Sequence, residues 1–213
     1  MNEQELKISE PTAPFFEFRT FGHNFTKYQE KMAKLSVPVP DDLRVRIFNE
    51  IYIIFNSIDD INIKVKNNKL DIKKLIHSYE NLEQWDTIMK QDFPISKQIL
   101  IDEIFPVFKA DIPIIENDVL DKKQFISIVK RQKNLLAVPV QKQRHAYIVN
   151  LAICEFVEII IDNDYLYSVS VKSMDVKEVT KTVSELELNS FENINYVQAI
   201  KRVKDIISKP LAN

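Results

Sequence analysis

Apolar and polar positions along the chain follow two different periods. Ile61, Ile63 and Val65 alternate with Asn62, Lys64 and Lys66, and the segment Leu70 to Ile76 follows after Asn67-Asn68-Lys69. Period two marks a strand with unlike faces, so this stretch predicts a β-hairpin. Its turn uses asparagines, the residues other than glycine that best tolerate positive φ. Phe15 to Phe21 (FFEFRTF) reads as a short aromatic strand ended by Gly22, and Leu43 to Phe55 as a β-branched and aromatic one. Strand character returns at Leu135–Val140, Arg144–Val149, Cys154–Ile161 and Tyr165–Val171, with Asp162-Asn163-Asp164 as a second glycine-free turn.

Elsewhere the period lengthens. Asn24 is placed to cap a helix reaching Leu35, with Phe25, Tyr28, Met32 and Leu35 on one face, and the Val-Pro-Val-Pro of 37–40 stops it. Over 80–132 the spacing predicts three helices. The first carries Leu82, Trp85, Ile88 and Met89 and is broken by Pro94; the second is capped by Ser96 and the third by Asp121. Asp175–Leu188 and Asn195–Ile207 read as amphipathic helices, and residues 1–13 as a loose lead-in. Strands, helices, strands and helices joined by hairpins imply an antiparallel α+β fold. The whole, 1–213, is expected to be one domain, with a helical insertion at about 80–132 between two strand-rich halves.

Composition narrows the chemistry. The chain has one glycine, Gly22, where an average sequence of 213 residues has roughly fifteen. No G-x-G-x-x-G turn, P-loop or G-x-S-x-G elbow can be written. Any phosphate bound here is held by side chains or helix ends. Lys+Arg (29) nearly balance Asp+Glu (31), so the total charge points to neither nucleic acid nor membrane, while leaving room for a local basic patch. Cys154 stands alone in an apolar run and reads as a small core residue. No signal peptide or membrane span is visible, and a cytoplasmic protein is expected.

Several strands place charges two residues apart, hence on one sheet face: Glu17 with Arg19, Arg44 with Arg46, Lys64 with Lys66, Asp71 with Lys73, and Lys142 with Arg144. Glu155 and Lys172 are single charges in apolar strands. One explanation is the wet face of an ordinary antiparallel sheet. The other is a closed barrel whose charged faces converge on a lumen, where Lys and Arg grip a polyanion and carboxylates hold a divalent cation. His23, His77 and His145 show no ligand spacing, Trp85 reads as core, and Lys201, Arg202 and Lys204 read as a solvated helix face.

Four segments in order carry a family resemblance: FEFR at 16–19, NIKVKNNKLDIKKL at 62–75 followed by LEQW at 82–85, KQRHAYIVNLAICEF at 142–156, and ENINYVQAIKR at 192–202. On these the chain resembles the CYTH-like, or triphosphate tunnel metalloenzyme, superfamily, nearest to a bacterial branch that opens with an FEFR-type strand. The resemblance implies an eight-stranded antiparallel tunnel-like β-barrel with flanking helices. It also implies action on nucleotide triphosphates, inorganic triphosphate or thiamine triphosphate with Mg²⁺ or Mn²⁺. Carried over by position, Arg19, Lys64, Lys66, Lys73, Lys142 and Arg144 are the expected phosphate grips. Glu17, Glu155 and Glu158 are the expected metal carboxylates. Two positions depart from the family pattern: Phe15 stands where ExExK has its first acid, and Val171-Lys172-Ser173 stands where relatives often read V-E-S.

Two functions are therefore expected to compete. One is a metal-dependent phosphohydrolase acting on a triphosphate or polyphosphate in a basic tunnel. The other is a non-catalytic nucleotide or polyphosphate binder with an incomplete metal site. A structural or protein-interaction domain is a third possibility, and it requires the charges to face solvent.

Overall fold

The computed structural model of the chain describes residues 14–108 and 113–213, so the lead-in expected over 1–13 lies outside the described residues. The first part of the chain forms β1 (Phe16–Gly22), α1 (Thr26–Leu35), α2 (Asp41–Arg44), β2 (Val45–Phe55), β3 (Ile61–Lys66), β4 (Lys69–Tyr79) and β5 (Leu82–Asp92). The middle forms β6 (Ile95–Ser96), α3 (Lys97–Ile99), a π-helical turn (Leu100–Ile104), α4 (Phe105–Phe108), β7 (Val119–Leu120) and α5 (Lys122–Arg131). The last part forms β8 (Leu135–Val149), β9 (Ala152–Ile161), β10 (Asp164–Ser173), α6 (Val176–Glu185) and α7 (Tyr196–Val203).

Eight of these strands close a fully antiparallel barrel in the order β1-β10-β9-β8-β2-β3-β4-β5, while β6 and β7 form a separate small pair. Closure leaves no long unpaired edge among the eight. The hairpin turns work without glycine. Asn67 and Asn68 have φ of 47° and 62°, Asn150 and Leu151 of 50° and 62°, and Asp162 of 54°. Gly22 is needed for a different reason. A Cβ there would lie 2.6 Å from the Ala212 carbonyl oxygen and 2.8 Å from the Phe25 ring, where the end of the described chain pairs beside β1.

Four expectations need correction, the last of them on α7. Leu82–Asp92 is a strand, not a helix, because it pairs with β4 along its length and with β1 at its start, closing the barrel. Its apolar residues, Leu82, Trp85, Ile88 and Met89, fall at helical spacing, and pairing with β4, interrupted by irregularities at Ile72/Lys73 and Leu75/His77, overrides it. Residues 135–149 form one strand rather than two: Lys142 turns inward and the flanking Gln141 and Gln143 turn away, so the polar stretch continues the alternation. Asn24 does not cap α1; the N-cap position is Phe25, with no side-chain hydrogen bond. Ser96, Asp121, Asp175 and Asn195 do cap their helices, Asp121 and Asn195 in reciprocal boxes with Gln124 and Gln198.

The barrel's outer face is apolar and covered on two sides. Ile53, Ile63, Val65, Leu70 and Ile72 pack against Leu100, Ile104, Phe105, Phe125 and Val129 of the helical segment. Phe18, Cys154, Phe156, Val169 and Val171 pack against Tyr28 and Met32 of α1 and Val179 and Val183 of α6. A third cluster fills one end of the lumen. There Phe21, Ile54, Val138, Val140, Ile159, Ile161 and Leu166, all on the inward parity of their strands, meet Val197, Ala199 and Ile200 of α7. The barrel is thus the expected eight-stranded antiparallel one, with a lumen that is apolar at this end.

Lys201 corrects the reading of α7 as a solvated face. It is 1% exposed. It donates to the carbonyls of Asn56 and Ile58 and pairs with Asp59, tying α7 to the β2–β3 loop. No described helix is long and apolar enough to cross a membrane.

Candidate functional site: a charged well in the barrel

Above the apolar base the inward parity of β1, β2, β8, β9 and β10 turns polar, and β3, β4 and β5 add to it. β1 contributes Glu17 and Arg19; β2, Phe48, Glu50 and Tyr52; β3, Asn62, Lys64 and Lys66; β4, Lys73; and β5, Glu83 and Trp85. β8 contributes Lys142 and Arg144; β9, Glu155 and Val157; and β10, Lys172, while Asn195 and Tyr196 reach in from the start of α7. The cavity they enclose is about 180 Å³. Seven cations face four carboxylates within a chain whose net charge is −2.

Apart from Lys64 with Asp71 at 3.9 Å, the ion pairs sort into two groups. Around Glu50, the Lys142 ammonium lies 2.5 Å away, Lys64 3.5 Å and Lys66 3.8 Å. Lys142 also donates to the Tyr52 hydroxyl at 2.6 Å and sits 3.7 Å from the centre of the Tyr196 ring. Around Glu155, one oxygen accepts from Arg144 at 3.1 Å, and the other from Arg19 at 3.0 Å and Lys172 at 2.9 Å. Ser170 adds a hydroxyl at 3.3 Å. Arg19 is held from three sides by Glu17, Glu155 and Ser168. Lys73 makes no ion pair within 4.0 Å among the described residues.

Burial alone would raise the Glu50 pKa, but Lys142 and Lys64 outweigh it and hold the carboxyl down at about 2. Glu155 is likewise lowered, by Lys172, Arg19 and Arg144 against its burial. The lysines move the other way. Burial, then the neighbouring Lys64 and Arg19, draw Lys142 down to about 7 in spite of Glu50. Burial and then Lys64 also lower Lys66 and Lys73. Crowded ammonium groups with depressed pKa values are stabilised by any anion that joins them.

All six expected phosphate grips, Arg19, Lys64, Lys66, Lys73, Lys142 and Arg144, line this well, as do Glu17 and Glu155. Glu158 does not. It is three residues from Glu155 on a strand of period two, so it faces outward, where it accepts from Tyr165 and lies 3.3 Å from His145. Arg44 belongs to α2, not to a strand, and Arg46 lies beyond the lining, donating to the Asp42 carbonyl. Trp85 stands at the mouth rather than in the core, its indole N–H donating to Glu83. Glu50, Tyr52, Glu83 and Tyr196 were not foreseen. Glu50 shares the parity of Arg46 in β2, a signal present in the alternation, whereas Tyr196 arrives through packing of α7. Cys154 is a core residue, its thiol pushed up to about 12 by burial.

The residues do not fit a resident divalent metal. Mg²⁺ and Mn²⁺ need several oxygen ligands at about 2.0–2.2 Å and leave no room for ammonium groups among them. Here both Glu155 oxygens are occupied by cationic donors, Glu17 is bound by Arg19, and Lys172 supplies a positive charge at the centre of the group. Among the described residues no three His, Cys, Asp or Glu side chains come together as a metal-binding group.

No family model matches the chain, and no curated protein matches it. Solved structures do. HpAC1 from Hippeastrum, for which a dominant triphosphatase activity is described, aligns with 92% of this chain and 97% of its own at 9% identity and a TM-score of 0.46. A Bacillus halodurans protein named as a candidate adenylate cyclase aligns over 86% and 95% at 12% identity and a TM-score of 0.46. A conserved Pyrococcus furiosus protein aligns over 86% and 98% at 13% identity and a TM-score of 0.47.

Proposed function

We propose that the well binds a short polyphosphate chain, free or carried by a nucleotide, as an anion-binding site without a resident metal. The observation that carries this reading is the convergence of seven cations from β1, β3, β4, β8 and β10 on one cavity. Lysine and arginine are the side chains that replace water around phosphate oxygens, arginine in bidentate fashion. At about 180 Å³ the cavity is smaller than the ~300–1,000 Å³ of pockets that enclose drug-sized ligands. It suits a phosphate chain, with any nucleoside left at the mouth beside Trp85 and Phe48. On this reading the chain is a relative of the triphosphate tunnel superfamily that keeps the basic lining and has given up the metal. A metal-dependent phosphohydrolase would need carboxylates free for the ion, and Lys172 occupies the one at the centre.

Calorimetric titration with tripolyphosphate, pyrophosphate and ATP in the presence of a chelator tests the proposal. The wild type binds at least one of them, and Lys64→Ala/Arg144→Ala, folded by circular dichroism, binds about tenfold or more weakly. Failure of all three to bind, or full binding by the double variant, overturns the reading. Phosphate release that depends on Mn²⁺ or Mg²⁺ and is lost in the same variant would replace it with the hydrolase.

A further inference from the structure

The two ion-pair groups have the same build. Each is a carboxylate sealed from solvent, Glu50 at 2% and Glu155 at 7% side-chain exposure, gripped by three cations. In each group one cation is buried at the floor, Lys142 at 7% and Arg19 at 6%. The other two remain open to the cavity: Lys64 and Lys66 at 20% and 31%, Arg144 and Lys172 at 23% and 22%. Three converging cations with a hydroxyl beside them, Tyr52 in one group and Ser170 in the other, form a seat that fits an anionic oxygen group. A carboxylate fills each seat already.

We infer that Glu50 and Glu155 are resident counter-ions occupying two separate anion seats, and that a polyanion binds by drawing the open cations of both seats off these glutamates. The inference rests on the proposed function and deepens it. Two seats on different walls of one cavity select a ligand with at least two linked anionic groups over a single phosphate. They also give the glutamates a role opposite to metal holding. A metal ligand supports binding, whereas a resident counter-ion competes with it. Glu83 is the internal contrast, since this lumen carboxyl is held by Trp85 and Asn195 rather than by cations.

The test is the affinity of the full chain for tripolyphosphate and for inorganic phosphate, in chelator, for Glu50→Gln, Glu155→Gln, Glu50→Asp, Glu155→Asp and Glu83→Gln. Each Gln variant of a seat is expected to bind tripolyphosphate about tenfold tighter, and Glu83→Gln to gain less than either. The Asp variants keep the charge and retract the carboxylate by one methylene, so a gain of about threefold separates competition for the cations from simple loss of charge. Inorganic phosphate binds at least about a hundredfold more weakly than tripolyphosphate to the wild type. Where a Gln variant fails to fold, the Asp variant and the wild type decide. In the wild type, added tripolyphosphate shifts the carboxylate stretching band in the infrared difference spectrum. Weaker or unchanged binding by the folded Gln and Asp variants, or no carboxylate shift, overturns the inference while the proposed function stands. A wild type that binds no polyphosphate overturns both.

Discussion

The apolar base and the charged well of the lumen share β1, β2, β8, β9 and β10 in one alternation, with β3, β4 and β5 adding side chains to the well alone, yet one is a core and the other a polar site. On β1, Phe21 belongs to the base and Arg19, two residues away, to the well; on β8 the step is from Val140 to Lys142, and on β9 it runs from Ile159 through Val157, which borders both, to Glu155. Full burial of one large apolar side chain stabilises by ~1.5–3 kcal/mol, so the base, with α7 set into it, is where the lumen gains its stability. Buried ion pairs gain little over their desolvation cost, so the well costs about what it returns. The difference teaches that a uniform strand pattern can hold two environments with different duties, and that the boundary lies at Tyr52 and Tyr196, whose rings stack at 5.5 Å.

On that division, damage to each half reads out differently. The largest effect is expected at the base. Ile200→Ala, at a fully buried site on α7, costs about 2–5 kcal/mol in denaturant unfolding and leaves polyphosphate affinity of the folded protein unchanged. A parallel loss of affinity would mean the halves are not separable.

Acid attacks the well. The Glu50 carboxyl is held at about 2 against an ordinary 4.5, so the folded protein binds this proton less readily than the unfolded chain. Its contribution is complete above 4.5 and drains away as pH falls toward about 2. Urea unfolding stepped from about pH 5 to about pH 3 is expected to show a smaller loss in Glu50→Gln than in the wild type. Equal losses would place the acid sensitivity elsewhere.

Lys142 sharpens the same contrast from the alkaline side. With its ammonium lowered to about 7, the amine discharges as pH rises through that value and the well loses a cation. Polyphosphate affinity is expected to fall by up to about tenfold between roughly pH 6 and pH 8, and Lys142→Met to flatten that slope. The smallest effect lies outside both halves. Leu151 is 84% exposed with φ of 62°, and Leu151→Gly is expected to add about 1 kcal/mol of stability without touching binding.

Much of the barrel was legible because its charges obey period two. Lys64 and Lys66 against Ile63 and Val65 declare opposite faces without any structure, whereas the polar run Gln141-Lys142-Gln143 hides its alternation and reads as a break between two strands. What alternation cannot declare is which face is inside. In most antiparallel sheets the charged face is the wet one, and only closure, with helices over the apolar side, turns it into a lumen. Leu82–Asp92 was misread for a related reason: its apolar residues fit a helix locally, and the pairing that makes it a strand involves β1, more than sixty residues earlier in sequence. The cations of the site were visible one by one. Their grouping around Glu50 and Glu155 depends on register between strands distant in the chain. Tyr196 depends on where α7 docks, which no local pattern records.

The central claim, that the charged half is an anion well working without a metal, comes down to one titration. Tripolyphosphate is added to the wild-type protein once in chelator and once in excess Mg²⁺. Binding in chelator is expected to be at least as tight as with Mg²⁺, because free tripolyphosphate carries more charge than its magnesium complex. Binding that appears only when Mg²⁺ is present would contradict it.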